Sequence, residues 1–123
     1  MEESTIAALP VDDSPVNIKE LEEALEVDGA REIAAGFLED VASLPDRLTD
    51  CLRLRNKEGV RSSAHLLKGC CLIIFAPKTA ALASDMERLS IDNNLEACDI
   101  ILPDLLDALN KTIECLENYL DEI

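Results

Sequence analysis

Aromatic residues are nearly missing from this chain. Phe37, Phe75 and Tyr119 are all there are among 123 residues, and there is no tryptophan. The interior must therefore be built from Leu, Ile, Val and Ala. Glycine is scarce too, at four residues, fewer than a sandwich or small barrel would need for its turns. Hydrophobic residues make up 48% and charged residues 30%, a balance that favours an all-helical protein. Positive charge is short: 11 Lys and Arg stand against 26 Asp and Glu, a formal net charge of −15. Such a chain repels phosphate backbones and anionic lipid. No nucleic acid and no membrane surface is expected as a partner, and a partner with basic patches suits it better. The longest apolar run, Cys70 to Ala76, is far too short to span a bilayer. The acidic start "MEESTIAALPVDD" is no signal peptide. Together these point to a soluble, cytoplasmic protein. The five cysteines are odd in number and lack a CxxC pair, so they read as reduced, small core residues. With one histidine and scattered cysteines, no metal site is expected.

What is present is helical periodicity. Residues 1–16 carry two prolines and no sustained period, and read as a tail with at most a short helical turn around Thr5 to Leu9. Residues 17–123 form the domain. Asn17 is placed to cap a first helix with Ile18, Leu21 and Leu25 on one stripe. "VDGA" breaks it, with Asp28 as the next cap and Gly29 in the turn. From Ala30 to Arg55, Ile33, Phe37, Val41, Leu44, Leu48 and Cys51 keep one register through Pro45, which predicts a kinked helix and not two separate ones. "NKEG" supplies the next turn. Val60 to Ile74 carries one apolar stripe (Val60, Ala64, Leu67, Cys71, Ile74) and a second beside it (Leu66, Cys70, Ile73), predicting a helix at the centre of a bundle. Its remaining strip, Arg61, His65, Lys68, Gly69 and Leu72, faces away from the core. Pro77 opens a further helix to about Leu89. The last helix, Leu95 to Leu120, repeats Leu95, Leu102, Leu109 and Leu116, with a kink expected at Pro103. Long amphipathic helices joined by short turns give an all-α, antiparallel bundle.

The one imidazole lies on the one polar strip of the most apolar helix. On a helix, residues three and four apart are neighbours, so Lys68 and Gly69 adjoin His65 and Arg61 lies one turn before it. A cation there favours the neutral ring, and a neutral imidazole is a nucleophile. Gly69 leaves room for an incoming group, and Lys68 can meet phosphoryl oxygens. A glycine inside a helix costs about 1 kcal/mol against alanine, so Gly69 needs a reason, and close approach of a partner supplies one. No glycine-rich phosphate loop, aspartate cluster or nucleotide motif accompanies it. The chain is expected to bind no cofactor, and Mg²⁺ is expected in the partner.

"AHLLKGCCLIIFA", Ala64 to Ala76, resembles the signature of histidine-containing phosphotransfer (HPt) domains, roughly AHxLKGxxxxxGA, with matches at Ala64, His65, Leu67, Lys68, Gly69 and Ala76. "FLED", Phe37 to Asp40, and "LASDMERLS" look like further stretches of that family, and the resemblance covers about Val16 to the C-terminus. It implies an antiparallel four-helix bundle, preceded by a short N-terminal helix or helices, with the phosphorylated histidine exposed on the second bundle helix. It also implies a phosphorelay intermediate that accepts a phosphoryl group from the aspartate of one receiver domain and passes it to another, as a carrier and not an enzyme with its own turnover. By match to the motif, His65 is the acceptor, Lys68 the phosphate-stabilising cation and Gly69 the access position. Receiver domains of response regulators or hybrid kinases are the implied partners. Ile18, Leu21, Leu25, Phe37, Arg61 and Leu72 are the docking candidates, and a monomer is expected. Where the family has glycine this chain has Phe75, which either fills the core or stands beside the docking surface and narrows the set of receivers. The alternative function is a docking module of the same fold that carries no phosphate.

Overall fold

The computed structural model describes residues 14–122. Among them are five helices: α1 (Ile18–Val41), α2 (Leu44–Arg53), α3 (Lys57–Ile73), α4 (Pro77–Ile91) and α5 (Leu95–Asp121). Their boundaries follow local chemistry. Three asparagine side chains cap helix starts: Asn17 accepts from Glu20 N, Asn56 from Gly59 N and Asn94 from Ala97 N, each satisfying an amide that the helix itself leaves unpaired. Three helix ends close on a residue in the left-handed region, Arg55, Phe75 and Asn93 (φ 56, 60 and 59). In each, the next amide reaches back five residues: Asn56 N to Cys51 O, Ala76 N to Cys71 O and Asn94 N to Leu89 O. Glycine usually occupies that position because it has no Cβ to strain, and none of the three is glycine.

α1 is broken inside. Glu26 takes φ 63 and ψ 173, which divides a short N-terminal helix from the first helix of the bundle. The break thus falls at Glu26, just before the "VDGA" stretch where it was expected, and Asp28 and Gly29 lie inside the helix instead of capping it or forming the turn. α1 and α2 then behave as one kinked unit. Ala42 and Ser43 between them keep helical dihedrals, and Pro45 stands in the first turn of α2, where its missing N–H is not needed. Pro103 lies inside α5, which continues through it to Asp121. The turn expected at "NKEG" is instead the N-terminal cap and first turn of α3, and the chain reverses earlier, at Leu54 and Arg55. The family-like arrangement is thus an all-α bundle of the α1–α2 unit, α3, α4 and α5.

The core runs through all four. Leu44, Leu48, Leu67, Ile74, Met86, Leu105, Leu109 and Leu116 are at most 1% exposed. Val16, assigned by sequence to the tail, is fully buried and joins this core; the helical turn expected around Thr5 to Leu9 lies outside the described residues. Arg31 closes the far end, donating from its guanidinium to the carbonyls of Tyr119 and Leu120 at the end of α5 (3.2 and 2.6 Å), where a cation suits the helix dipole. Tyr119 in turn donates to Glu22 (2.7 Å), tying the short N-terminal helix to α5.

Candidate functional site

α3 holds its inner stripe, Val60, Ala64, Leu67 and Cys71, at 0% exposure, and that burial fixes the rotation of the whole helix. At 100° per residue the opposite strip must face outward. His65 stands there with its side chain 65% exposed, and Lys68 beside it is 32% exposed. Gly69 is the next turn's neighbour, and a Cβ built on it would meet nothing within 4 Å. No internal packing therefore calls for glycine at this position.

The residue that organises the imidazole comes from α4. Glu87 Oε2 lies 2.8 Å from His65 Nδ1, and Glu87 Oε1 lies 3.3 Å from Lys68 Nζ, so one carboxylate bridges the two. Burial pushes the Glu87 carboxyl upward, but the hydrogen bonds from His65 and Lys68 and their charges outweigh it and hold it below the usual carboxylate range. An ionised carboxylate accepts and cannot donate. The shared hydrogen therefore sits on Nδ1, and in the neutral ring the lone pair is left on Nε2, the nitrogen directed away from this contact. The sequence had placed a cation next to the imidazole; Lys68 is instead held by Glu87, and a carboxylate is the imidazole's immediate partner. Glu87 lies within "LASDMERLS", but spacing rules act within one helix and gave no means of pairing it with a residue 22 positions earlier.

The two flanks of His65 on α3 differ in chemistry. Towards α4 stand Lys68 and Glu87, and one turn before the histidine Arg61 is paired with Glu58 at 2.8 Å. Towards α1 the surface is apolar. Leu66 is 45% and Ile73 58% exposed. Cys70, Ile73 and Ile74 form one wall of a groove of about 140 Å³ whose other wall is Ile33, Gly36 and Phe37, with Glu32 and Asp40 at its rim. The second apolar stripe of α3, read from sequence as buried, is thus largely a surface. Of the docking candidates, Leu72 (58%) and Leu25 (38%) are exposed and Ile18 is partly buried, whereas Leu21 (0%) and Phe37 (3%) belong to the core. Phe75 packs partly against the core and also borders a small pocket with Leu72.

A family model, the Hpt domain, matches residues 6–122. The chain belongs to the Hpt domain family. Membership makes it a histidine phosphotransfer domain of two-component signalling, in which Hpt domains act as phosphoryl carriers that meet receiver domains. No curated protein and no solved structure gives a significant match. Among the described residues no helix is long and apolar enough to cross a membrane.

Proposed function

We propose that this Hpt domain is a phosphorelay intermediate in the cytoplasm, with His65 as its phosphoryl acceptor. The observation that carries the reading is the pairing of an exposed imidazole with a carboxylate on Nδ1, at 2.8 Å. Nε2 attacks the phosphorus of an aspartyl phosphate on a docked receiver. The N–P bond forms, the P–O bond to the receiver's carboxylate breaks, and that carboxylate leaves as an anion. The charge that the ring gains is met by Glu87 through the Nδ1 hydrogen. The reverse sequence delivers the group to a second receiver. Lys68 supplies positive charge for the phosphoryl oxygens. Gly69 keeps the approach to Nε2 open, since the receiver must bring its phosphoryl group to within bonding reach. The receiver brings its own Mg²⁺ and the remaining catalytic groups; the Hpt chain serves as a monomeric carrier and does not turn over ATP by itself.

The test is transfer from a panel of phosphorylated receiver domains, read by intact mass and acid lability, with His65→Gln beside the native chain. Acid-labile labelling of the native chain alone is the expected result. Receiver binding with no label on a folded native chain would remove the relay and leave a docking module.

A further inference from the structure

A phosphoryl group on Nε2 would bring roughly two negative charges to a chain that already stands at −15. Lys68 answers only part of that charge. Its ammonium lies 3.3 Å from Glu87 Oε1, and the same carboxylate, 14% exposed, holds Nδ1. Lys68 is thus anchored on the α4 side of the ring, and Nε2 is directed the other way. Side chains on a helix lean towards its N-terminus, so the ring of His65 lies over the turn that carries Arg61 and Ser62. The Ser62 hydroxyl gives its one hydrogen to Gly59 O at 3.3 Å and keeps no donor for a phosphoryl oxygen. Arg61, four residues before His65, shares its face.

Arg61 is lightly held. Its guanidinium meets Glu58 through Nε, 2.8 Å from Oε1 and 3.4 Å from Oε2. Among the described residues nothing engages Nη1 or Nη2. Four of its five N–H donors are therefore uncommitted, in the flat fork that can meet two phosphoryl oxygens at once. The Glu58 side chain is 74% exposed and that of Arg61 37%, and an ion pair so open to water is weak. Glu58 also stands in the first turn of α3, where the helix dipole favours a carboxylate with or without a partner. It loses little when Arg61 leaves.

We propose that Arg61 is a second cation for phosphohistidine: when His65, the acceptor in the relay reading on which this rests, is phosphorylated, the guanidinium leaves Glu58 and takes the phosphoryl oxygens in a bidentate contact. Arg61 then favours the loaded carrier and Glu58 the empty one, and the pair sets how a phosphoryl group divides between this chain and a receiver. A residue that only docks the receiver cannot do this. The equilibrium constant for exchange depends on the free chains, loaded and empty, and the affinity of the complex cancels from it.

Two measurements test the exchange. In the first, ¹⁵N-labelled native chain is loaded on His65 with phosphoramidate, which passes its phosphoryl group to the imidazole and leaves as ammonia. The Arg61 Nε–Hε signal, assigned by its absence in Arg61→Gln, should shift on loading and return as the label hydrolyses. In the second, the ratio of loaded to empty chain at equilibrium with a receiver is read by intact mass, at concentrations far below their Kd. Arg61→Gln should move that ratio about fivefold towards the receiver, the size of one exposed charge-assisted contact. Arg61→Lys, which keeps the charge and loses the fork, should move it less. Glu58→Gln should move it about twofold the other way. Both Gln variants break the same ion pair, so a merely structural role would shift them in the same direction. An Arg61 signal that stays in place on loading, an unchanged ratio in Arg61→Gln, or shifts of one sign in both variants would each overturn the proposal. If no receiver labels the chain while the Arg61 signal still moves on chemical loading, the relay reading falls and the contact stands.

Discussion

His65 divides the outer surface of α3 into two unlike flanks. On the α4 side the contacts are few, polar and directional: two bonds to one carboxylate, at 2.8 and 3.3 Å. On the α1 side they are apolar and unfilled, with Leu66 and Ile73 half exposed above a groove. The first arrangement orients a single ring; the second can only gain by covering itself. On the proposed relay reading, the polar flank sets the chemistry and the apolar flank offers the docking surface. The two flanks should then respond differently to substitution, in transfer on one side and in binding on the other.

The largest separable effect belongs to the polar flank. Glu87→Ala removes the acceptor that places hydrogen on Nδ1, and the phosphoryl transfer rate should fall roughly tenfold to a hundredfold, the equivalent of one charge-assisted hydrogen bond. Receiver Kd should change little, and a loss confined to Kd would contradict the division. The same bridge has an acid limit. Because the Glu87 carboxyl is held below its ordinary value of 4.5, its contribution to stability is fully present above that value. It is lost as pH falls through the lowered one. Thermal melts of native and Glu87→Gln chains, carried from neutral pH downward, should converge at the acid end.

Gly69→Ala sharpens the comparison at the boundary between the flanks. Alanine fits without a clash inside the chain and should stabilise the helix by about 1 kcal/mol, while the added methyl crowds the approach to Nε2 and slows transfer. A gain in stability with an unchanged rate would mean that the glycine is not there for access. Gly59 supplies the contrast. A Cβ there would stand 2.5 Å from Cys51 Sγ, so Gly59→Ala should destabilise the bundle, because its glycine serves packing between α2 and α3. On the apolar flank, Ile73→Asn should weaken receiver binding about fivefold to tenfold with little change in melting temperature, since the side chain is 58% exposed.

Much of this was legible in the residues. Three- and four-residue apolar steps placed the helices, Asn17 was legible as a cap, and the H-x-x-K-G spacing put His65, Lys68 and Gly69 together on the outward strip. What could not be read belongs to two classes. Glu87 is a tertiary partner: no rule of spacing tells which residue of α4 will face His65 until α3 and α4 are paired. Leu66 and Ile73 are the second class. An exposed apolar side chain looks in sequence like a core one, so this flank was assigned to the interior. The helix ends at Arg55 and Phe75 were obscured for a related reason, because the usual signal for that conformation is a glycine that this chain does not use.

The third side of α3 gives the smallest effect and the control for the others. Ser63 is 0% exposed on the inner face, and its hydroxyl is buried with no hydrogen-bond partner among the described residues. A buried hydroxyl left unpaired costs more than the apolar group of similar size that could replace it, and alanine is also the better helix former. Ser63→Ala should therefore raise stability by roughly 1 kcal/mol, read as the shift in a denaturant midpoint with unchanged slope. Ser63 faces away from both flanks, so neither transfer rate nor receiver Kd should move. If transfer did change with it, the behaviour of His65 would track the overall stability of the bundle. The losses at Glu87 and Ile73 could then no longer be assigned to their own contacts.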